Sequence, residues 1–258
     1  SFNMDGKGED LFFLSNGHIS PVWYSVLARS GYFPIAELST FRHINSRLQG
    51  HPATHEHLPG IRIASGSLGQ GLSAAIGVAQ TKKLNSDDKM VYILMGDGEL
   101  QEGQVWEAAM SAANFNSNNL IAIVDNNKVA QDNNTDDLKR IEPLEDKWRS
   151  FGWDVHRIDG HNMNEIMKVL QLSSHSEKPR VILADTIKGK GVSFMEGQTA
   201  WHGVAPSKED YEKGVFNSFQ PYTTSTNSTL KSFEEAMEFN NFHEGIHLGY
   251  ILALKKSL

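Results

Sequence analysis

Short apolar runs and helix-spaced segments alternate through the middle of the chain. Ile61–Ser65, Met90–Met95, Leu120–Asp125 and Arg180–Thr186 are apolar runs of strand length, and Trp153–Asp159 is a weaker fifth. Between them Gly69–Lys83, Glu102–Phe115, Pro143–Phe151 and Met163–Leu172 carry helical spacing, the first two rich in alanine, as where strand and helix approach closely. Strand alternating with helix predicts right-handed crossovers and an α/β fold: a doubly wound, mainly parallel sheet with helices on both faces. In such a sheet ligands sit in the crevice outside the carboxyl ends of the strands. Polar residues that directly follow the apolar runs are therefore the candidates for chemistry.

The pattern stops after Lys213. Asn217–Thr229 is rich in Ser, Thr and Asn, contains Pro221 and has no period, so it reads as a linker. The expected organisation is one domain over 1–213, a linker over 214–229 and a helical tail over 230–258, with Leu230, Phe233 and Met237 on one face of that tail. The opening stretch, Ser1 followed by Asp5–Glu9 with two glycines, looks like an entry into a longer protein.

Composition narrows the partners. The 258 residues carry 24 Lys and Arg against 31 Asp and Glu, a formal net charge of −7, with no basic block of the kind that holds nucleic acid. An anionic ligand would need a local site, since the overall field opposes it. No apolar run approaches the roughly 18 residues of a membrane span. The absence of cysteine excludes disulfides, thiolate metal sites and cysteine nucleophiles, and together with the lack of a secretory leader it leads us to expect a cytoplasmic protein.

The most informative segment runs from Gly96 to Asn127. Gly96-Asp97-Gly98 follows one apolar run and Asp125-Asn126-Asn127 follows the next, so both polar groups fall at strand carboxyl ends. An Asp carboxylate and an Asn amide oxygen are hard ligands suited to Mg2+ or Ca2+, and two of them leave most of the shell for diphosphate oxygens. Gly96 and Gly98 let backbone approach phosphate, and the helix that opens near Glu102 can offer unpaired N–H groups. Either string alone is ordinary turn chemistry. Their joint occurrence after consecutive buried strands is much more specific.

With 27 residues between Gly98 and Asn126, this segment resembles the thiamine diphosphate signature. The strings LSNGH (14–18), FRHINSRLQGHP (41–52), ASGSLGQG (64–71), GDGELQEG (96–103) and WHGVAP (201–206) resemble, in order and separation, the diphosphate-binding domain of transketolases. The resemblance is to the amino-terminal subunit of a split, bacterial-type transketolase and implies the thiamine diphosphate-binding fold. It further implies that Asp97, Asn127 and the Val129 carbonyl bind the divalent ion, and that Gly96, beside Gly98, and His202 meet the diphosphate. Leu68, in the loop that starts at Gly66, would pack on the aminopyrimidine; His18, His51 and His202 would be the catalytic-side histidines; and Glu102 would lie at the subunit interface beside the partner's catalytic acid. The implied reaction moves a two-carbon ketol unit between sugar phosphates, in a dimer of heterodimers formed with a pyrimidine-domain, carboxy-terminal partner.

Two departures from the family pattern stand out. Ser67 occupies the usual place of a proline, and neither the Ser-Gly-His-Pro segment expected ahead of Asp10 nor the pyrimidine domain is in this sequence. By itself the chain should not turn over. Competing readings are a 2-oxo-acid dehydrogenase α subunit, a deoxyxylulose-phosphate synthase, or a non-catalytic cofactor-binding fragment. HEGIH at 243–247 matches a zinc-hydrolase pattern but lacks a third ligand after His247. His51, His55 and His57 with Glu56 fit a loop better than a metal cluster, because Pro52 interrupts them.

Overall fold

A computed structural model describes residues 4, 6–131, 133–172, 177–204, 207–210, 222–223 and 229–230. Five parallel strands form the main sheet: β1 (Leu11–Leu14), β2 (Val91–Gly96), β3 (Leu120–Asn126), β4 (Asp154–Asp159) and β5 (Arg180–Asp185). Their spatial order is β1-β2-β3-β5-β4. The helices are α1 (Ser20–Arg29), α2 (Gly71–Leu84), α3 (Gly103–Asn114), the single turn α4 (Thr135–Leu138), α5 (Leu144–Ser150) and α6 (Met163–Leu170). A two-residue antiparallel pair, β6 (Tyr222–Thr223) with β7 (Thr229–Leu230), falls within and at the end of the expected linker.

Helices cover both faces of the sheet, as the alternation predicts. On one face Leu72, Ala75 and Ala79 of α2, Val105, Ala109 and Ala112 of α3, and Leu144 and Trp148 of α5 share a core with Val91, Ile93, Met95, Leu120, Ala122 and Val124. Alanine at the contact leaves little side chain between helix and strand. On the other face α1 packs Trp23, Tyr24 and Leu27 against Phe12, Leu14 and Leu94, and Val169 of α6 packs on Ile121 and Ile182. Buried on both sides, the central strands read as near-continuous apolar runs rather than as alternation.

One expected strand is wrong. Ile61–Ser65 is loop, and the first strand of the sheet is Leu11–Leu14. Ile61 is apolar because it packs into the α1 core, not because it pairs in a ladder. Leu11-Phe12-Phe13-Leu14 is only four residues long and buried on both faces, so it shows no period that could mark it. The other four strands and four helices fall within two residues of their expected ends, and α1 and the single turn α4 are additions. The expected linker and tail lie outside the described residues apart from β6 and β7.

Candidate active site

The carboxyl ends of β1, β2, β3 and β5 place Ser15–His18, Asp97, Asn126–Lys128 and Thr186–Lys188 along one edge of the sheet. In the β2–β3 register Gly96 stands opposite Asp125. Asp97, 2% exposed, accepts from the Gly98 N–H at 2.7 Å and from the Lys128 N–H at 2.5 Å. Lys128 reaches that position with φ 62°, in the left-handed region. Burial, then the Asp125 carboxylate, pushes Asp97 up to about 7 against the pull of these N–H donors. Among the described residues no cation pairs with it.

The neighbouring turn is organised by Asp125. Its Oδ2 accepts from Asn127 Nδ2 at 3.0 Å and its Oδ1 accepts from the Thr186 hydroxyl. Asn127 Oδ1 then faces the Val129 N–H at 2.9 Å, which leaves that oxygen a second lone pair. A carboxylate, an amide oxygen and an adjacent backbone carbonyl form a hard-oxygen set that could hold a divalent ion. Beside them Asn16 Oδ1 is buried without a hydrogen-bond partner, and a Cβ built on Gly96 would lie 3.6 Å from Asn16 Nδ2. An orphaned buried acceptor and a clear backbone face are what a polar ligand would satisfy. The residues present fit a metal-bridged diphosphate.

The glycine loop is fastened to the same edge through the Gly69 N–H on Glu99. Gly66 has φ +133°, and a Cβ there would lie 2.6 Å from the His51 ring; Gly69 has φ +83°, and a Cβ would lie 2.9 Å from Glu102 Cβ. Only glycine lets the loop come this close in that conformation. Leu68 is half-buried between them, and Glu102 is exposed at the residue that precedes α3.

The three histidines converge from three distant segments. The rings of His18 and His202 are 5.5 Å apart, and His51 abuts Gly66. His18 keeps an accessible edge, yet desolvation, then His202, Lys188 and His51, lower its pKa to about 4. At neutral pH it is an uncharged imidazole that can accept or donate one hydrogen bond.

Several participants carry no sequence signal of their own. Glu99, 2% exposed, accepts from the Ser15 hydroxyl, from the Gly69 N–H at 2.8 Å and from the Gly96 N–H at 3.3 Å, and burial raises its pKa. His161 Nε2 accepts from the Ile187 N–H at 2.7 Å, tying the loop after β4 to the one that bears Lys188. Asp185 accepts from Arg157 at 2.7 and 2.9 Å and from Asn126 Nδ2 at 2.5 Å. The position of Glu99 within GDGE, beside the recognised Asp97, was the one available hint. The HEGIH string lies outside the described residues, and among the described residues no group of three His, Cys, Asp or Glu could hold a metal.

The family model described as "Transketolase, thiamine diphosphate binding domain" matches residues 3–223. The chain belongs to this transketolase family. Its relatives include the 6-deoxy-6-sulfo-D-fructose transketolase subunit SqwG of Clostridium sp. (strain MSTE9), 44% identical over 80% of this chain and 75% of that subunit. An apulose-4-phosphate transketolase subunit of Actinobacillus succinogenes is 39% identical over 79% of this chain and 73% of that subunit. Among solved structures, transketolase from Campylobacter jejuni superposes with TM-score 0.74 at 31% identity, over 95% of this chain and 39% of that one. Transketolase from Leishmania mexicana gives 0.77 at 26% identity, over 98% and 40%. The transketolase-family chain thus spans about two fifths of those solved enzymes, whereas it matches most of the length of the relatives named as subunits. It is a transketolase subunit, and the dehydrogenase and synthase readings give way to that family match. Among the described residues no helix is long and apolar enough to cross a membrane.

Proposed function

We propose that this chain is the diphosphate-side half of a two-subunit transketolase that moves a two-carbon ketol unit between sugars bearing an anionic group. The observation that supports the reading is that Asp97 and Asn127 follow neighbouring strands β2 and β3, while His18, just beyond the end of β1, pairs its ring with His202. Asp97, Asn127 Oδ1 and the Val129 carbonyl would hold Mg2+ or Ca2+, and Gly96, Gly98 and His202 would face the diphosphate. Leu68 would support the aminopyrimidine. Thiamine diphosphate, when bound, supplies the electron sink for breaking and making a C–C bond.

The chain's own residues then position substrate and handle protons. His18, neutral at pH 7 because of its surroundings, can hold a substrate hydroxyl or pass a proton without adding positive charge to the site. His51, whose ring abuts Gly66, and His202, in the segment after β5, lie beside it. Glu102, exposed at the entrance to α3, would meet the pyrimidine-domain partner, and two such pairs would form a dimer of heterodimers in the cytoplasm. The names of two relatives specify a sulfonated and a phosphorylated sugar, which supports a substrate that ends in an anion rather than one fixed phosphate ester.

The deciding experiment mixes this chain with a pyrimidine-domain subunit, thiamine diphosphate and Mg2+, and measures two-carbon transfer from ketose to aldose. Transfer that requires both chains is expected. No transfer over a panel of phosphorylated and sulfonated ketoses, with both chains folded and associated, would overturn the proposal.

A further inference from the structure

Glu99 belongs to none of the roles above, yet three chain segments meet on its carboxylate. Ser15 comes from the end of β1, Gly69 from the glycine loop and Gly96 from the end of β2, at sequence separations of 84, 30 and 3. Oε1 takes both the Ser15 hydroxyl and the Gly69 N–H, and Oε2 takes the Gly96 N–H. The group is 2% exposed, and among the described residues no Lys or Arg neutralises it. A buried carboxylate is costly to keep unless its oxygens are fully used. A carboxylate held here by donors from two strand ends and the glycine loop therefore has the geometry of a tie.

We propose that Glu99 is a positioning residue that sets the distance between the Gly66–Gly71 loop and the end of β2. It acts through backbone: the Gly69 N–H fixes the loop that carries Leu68, and the Gly96 N–H fixes the residue that leads into Asp97. The cleft between Leu68 and Asp97 is where the proposed function seats the cofactor, so this inference rests on that reading. The closeness of the loop to Glu102 at Gly69 and to His51 at Gly66 leaves it little room to settle elsewhere. Without the tie, the loop would be held by packing and by the exposed amide pair of Gln70 with Gln104.

The test compares Glu99→Ala and Glu99→Gln in the full chain with its pyrimidine-domain partner. Two readouts are taken: the dissociation constant of thiamine diphosphate with Mg2+, and hydrogen exchange at the Gly69 amide. Outer supports of a ligand site typically contribute about 10–100-fold in affinity, and a loss of that size is expected for Ala, together with faster exchange at Gly69. Gln keeps an oxygen in the place of Oε1 for Ser15 and Gly69 but turns an NH2 toward the Gly96 N–H, so it should restore slow exchange at Gly69 and only part of the affinity. Wild-type affinity and exchange in the Ala variant would overturn the proposal, and so would exchange at Gly69 in the Gln variant as fast as in Ala, since the role would then be charge and not the acceptor. Should Glu99→Ala fail to fold, Ser15→Ala decides: weaker binding with faster Gly69 exchange supports the tie, and no change overturns it. A wild-type complex that binds no thiamine diphosphate would defeat the proposed function, while the exchange measurement still tests the tie.

Discussion

Asp97 and Asp125 stand side by side at the ends of neighbouring parallel strands, the Asp97 N–H donating to the Asp125 carbonyl oxygen at 3.1 Å. Their carboxylates divide the work. Asp97 is buried and takes two backbone N–H donors, while Asp125 directs its oxygens to Asn127 and Thr186 and so fixes which way the Asn127 amide faces. Two acids this close, one of them buried without a cation, make a site whose charge an incoming divalent ion would balance.

Asp97→Asn should therefore weaken metal-dependent binding of thiamine diphosphate in the two-chain complex by at least about 100-fold, beyond the range usual for groups one shell further out. The fold should persist, because the substitution removes a buried charge that burial disfavours. Calorimetric titration with cofactor and Mg2+, alongside circular dichroism, checks both halves, and undiminished binding would remove Asp97 from the ligand set.

Asp125→Ala should loosen the Asn127 amide and lower divalent-ion affinity by roughly 10–100-fold while leaving Asp97 in place. Terbium luminescence or Ca2+ calorimetry on the complex measures it. Affinity equal to wild type would show that Asn127 holds its orientation through the Val129 N–H alone.

The lowered pKa of His18 has a definite sign. Its ordinary value is 6.5 and its folded value about 4, so between those pH values the unfolded chain binds the extra proton and stability falls as the solution is acidified. Urea unfolding at pH 4.5, 6 and 7.5 should show a shallower acid slope for His18→Gln than for wild type. The His18 ring resonances should titrate well below pH 6.5; a midpoint at the ordinary value would contradict the desolvated setting.

Gly66→Ala places a side chain at φ +133° and directs it into the His51 ring at 2.6 Å. Strain of this kind costs on the order of 1–3 kcal/mol. The expected result is a matching loss in unfolding free energy and reduced two-carbon transfer, with His51 displaced. Gly77→Ala, on an open face of α2, should be neutral or mildly stabilising by comparison.

Arg157→Met tests the outer network that backs Asn126. The guanidinium meets Asp185 twice and Glu142 once; burial pushes the Asp185 carboxyl up, but the hydrogen bonds from Arg157 and Asn126 outweigh it and hold the group below its usual range. Its stabilisation is present above the ordinary carboxylate pKa and is lost as pH falls through the depressed value. Partial exposure of both partners limits the cost to about 1 kcal/mol, and chemical denaturation at pH 7 should show a loss of that size that shrinks at low pH.

The alternation of apolar runs and Ala-rich helical segments determined the α/β class, and GDG and the Asp-Asn-Asn string marked the carboxyl edge of the sheet where the metal is proposed, because these signals are local: a period, or a turn directly after a strand. The histidines at 18, 51 and 202 were legible only through their flanking strings. Their meeting, and the desolvation that with it lowers the His18 pKa, were decided by the tertiary structure, since proximity across such separations leaves no period in the chain. The same holds for Leu11–Leu14, four residues buried on both faces, which became a strand only because the edge beside β2 was there to pair with. Glu99 is the clearest case. A glutamate after GDG is an ordinary polar residue until β1 and the glycine loop fold over it, and its three donors come from backbone and a serine hydroxyl, groups that sequence chemistry does not distinguish before folding places them.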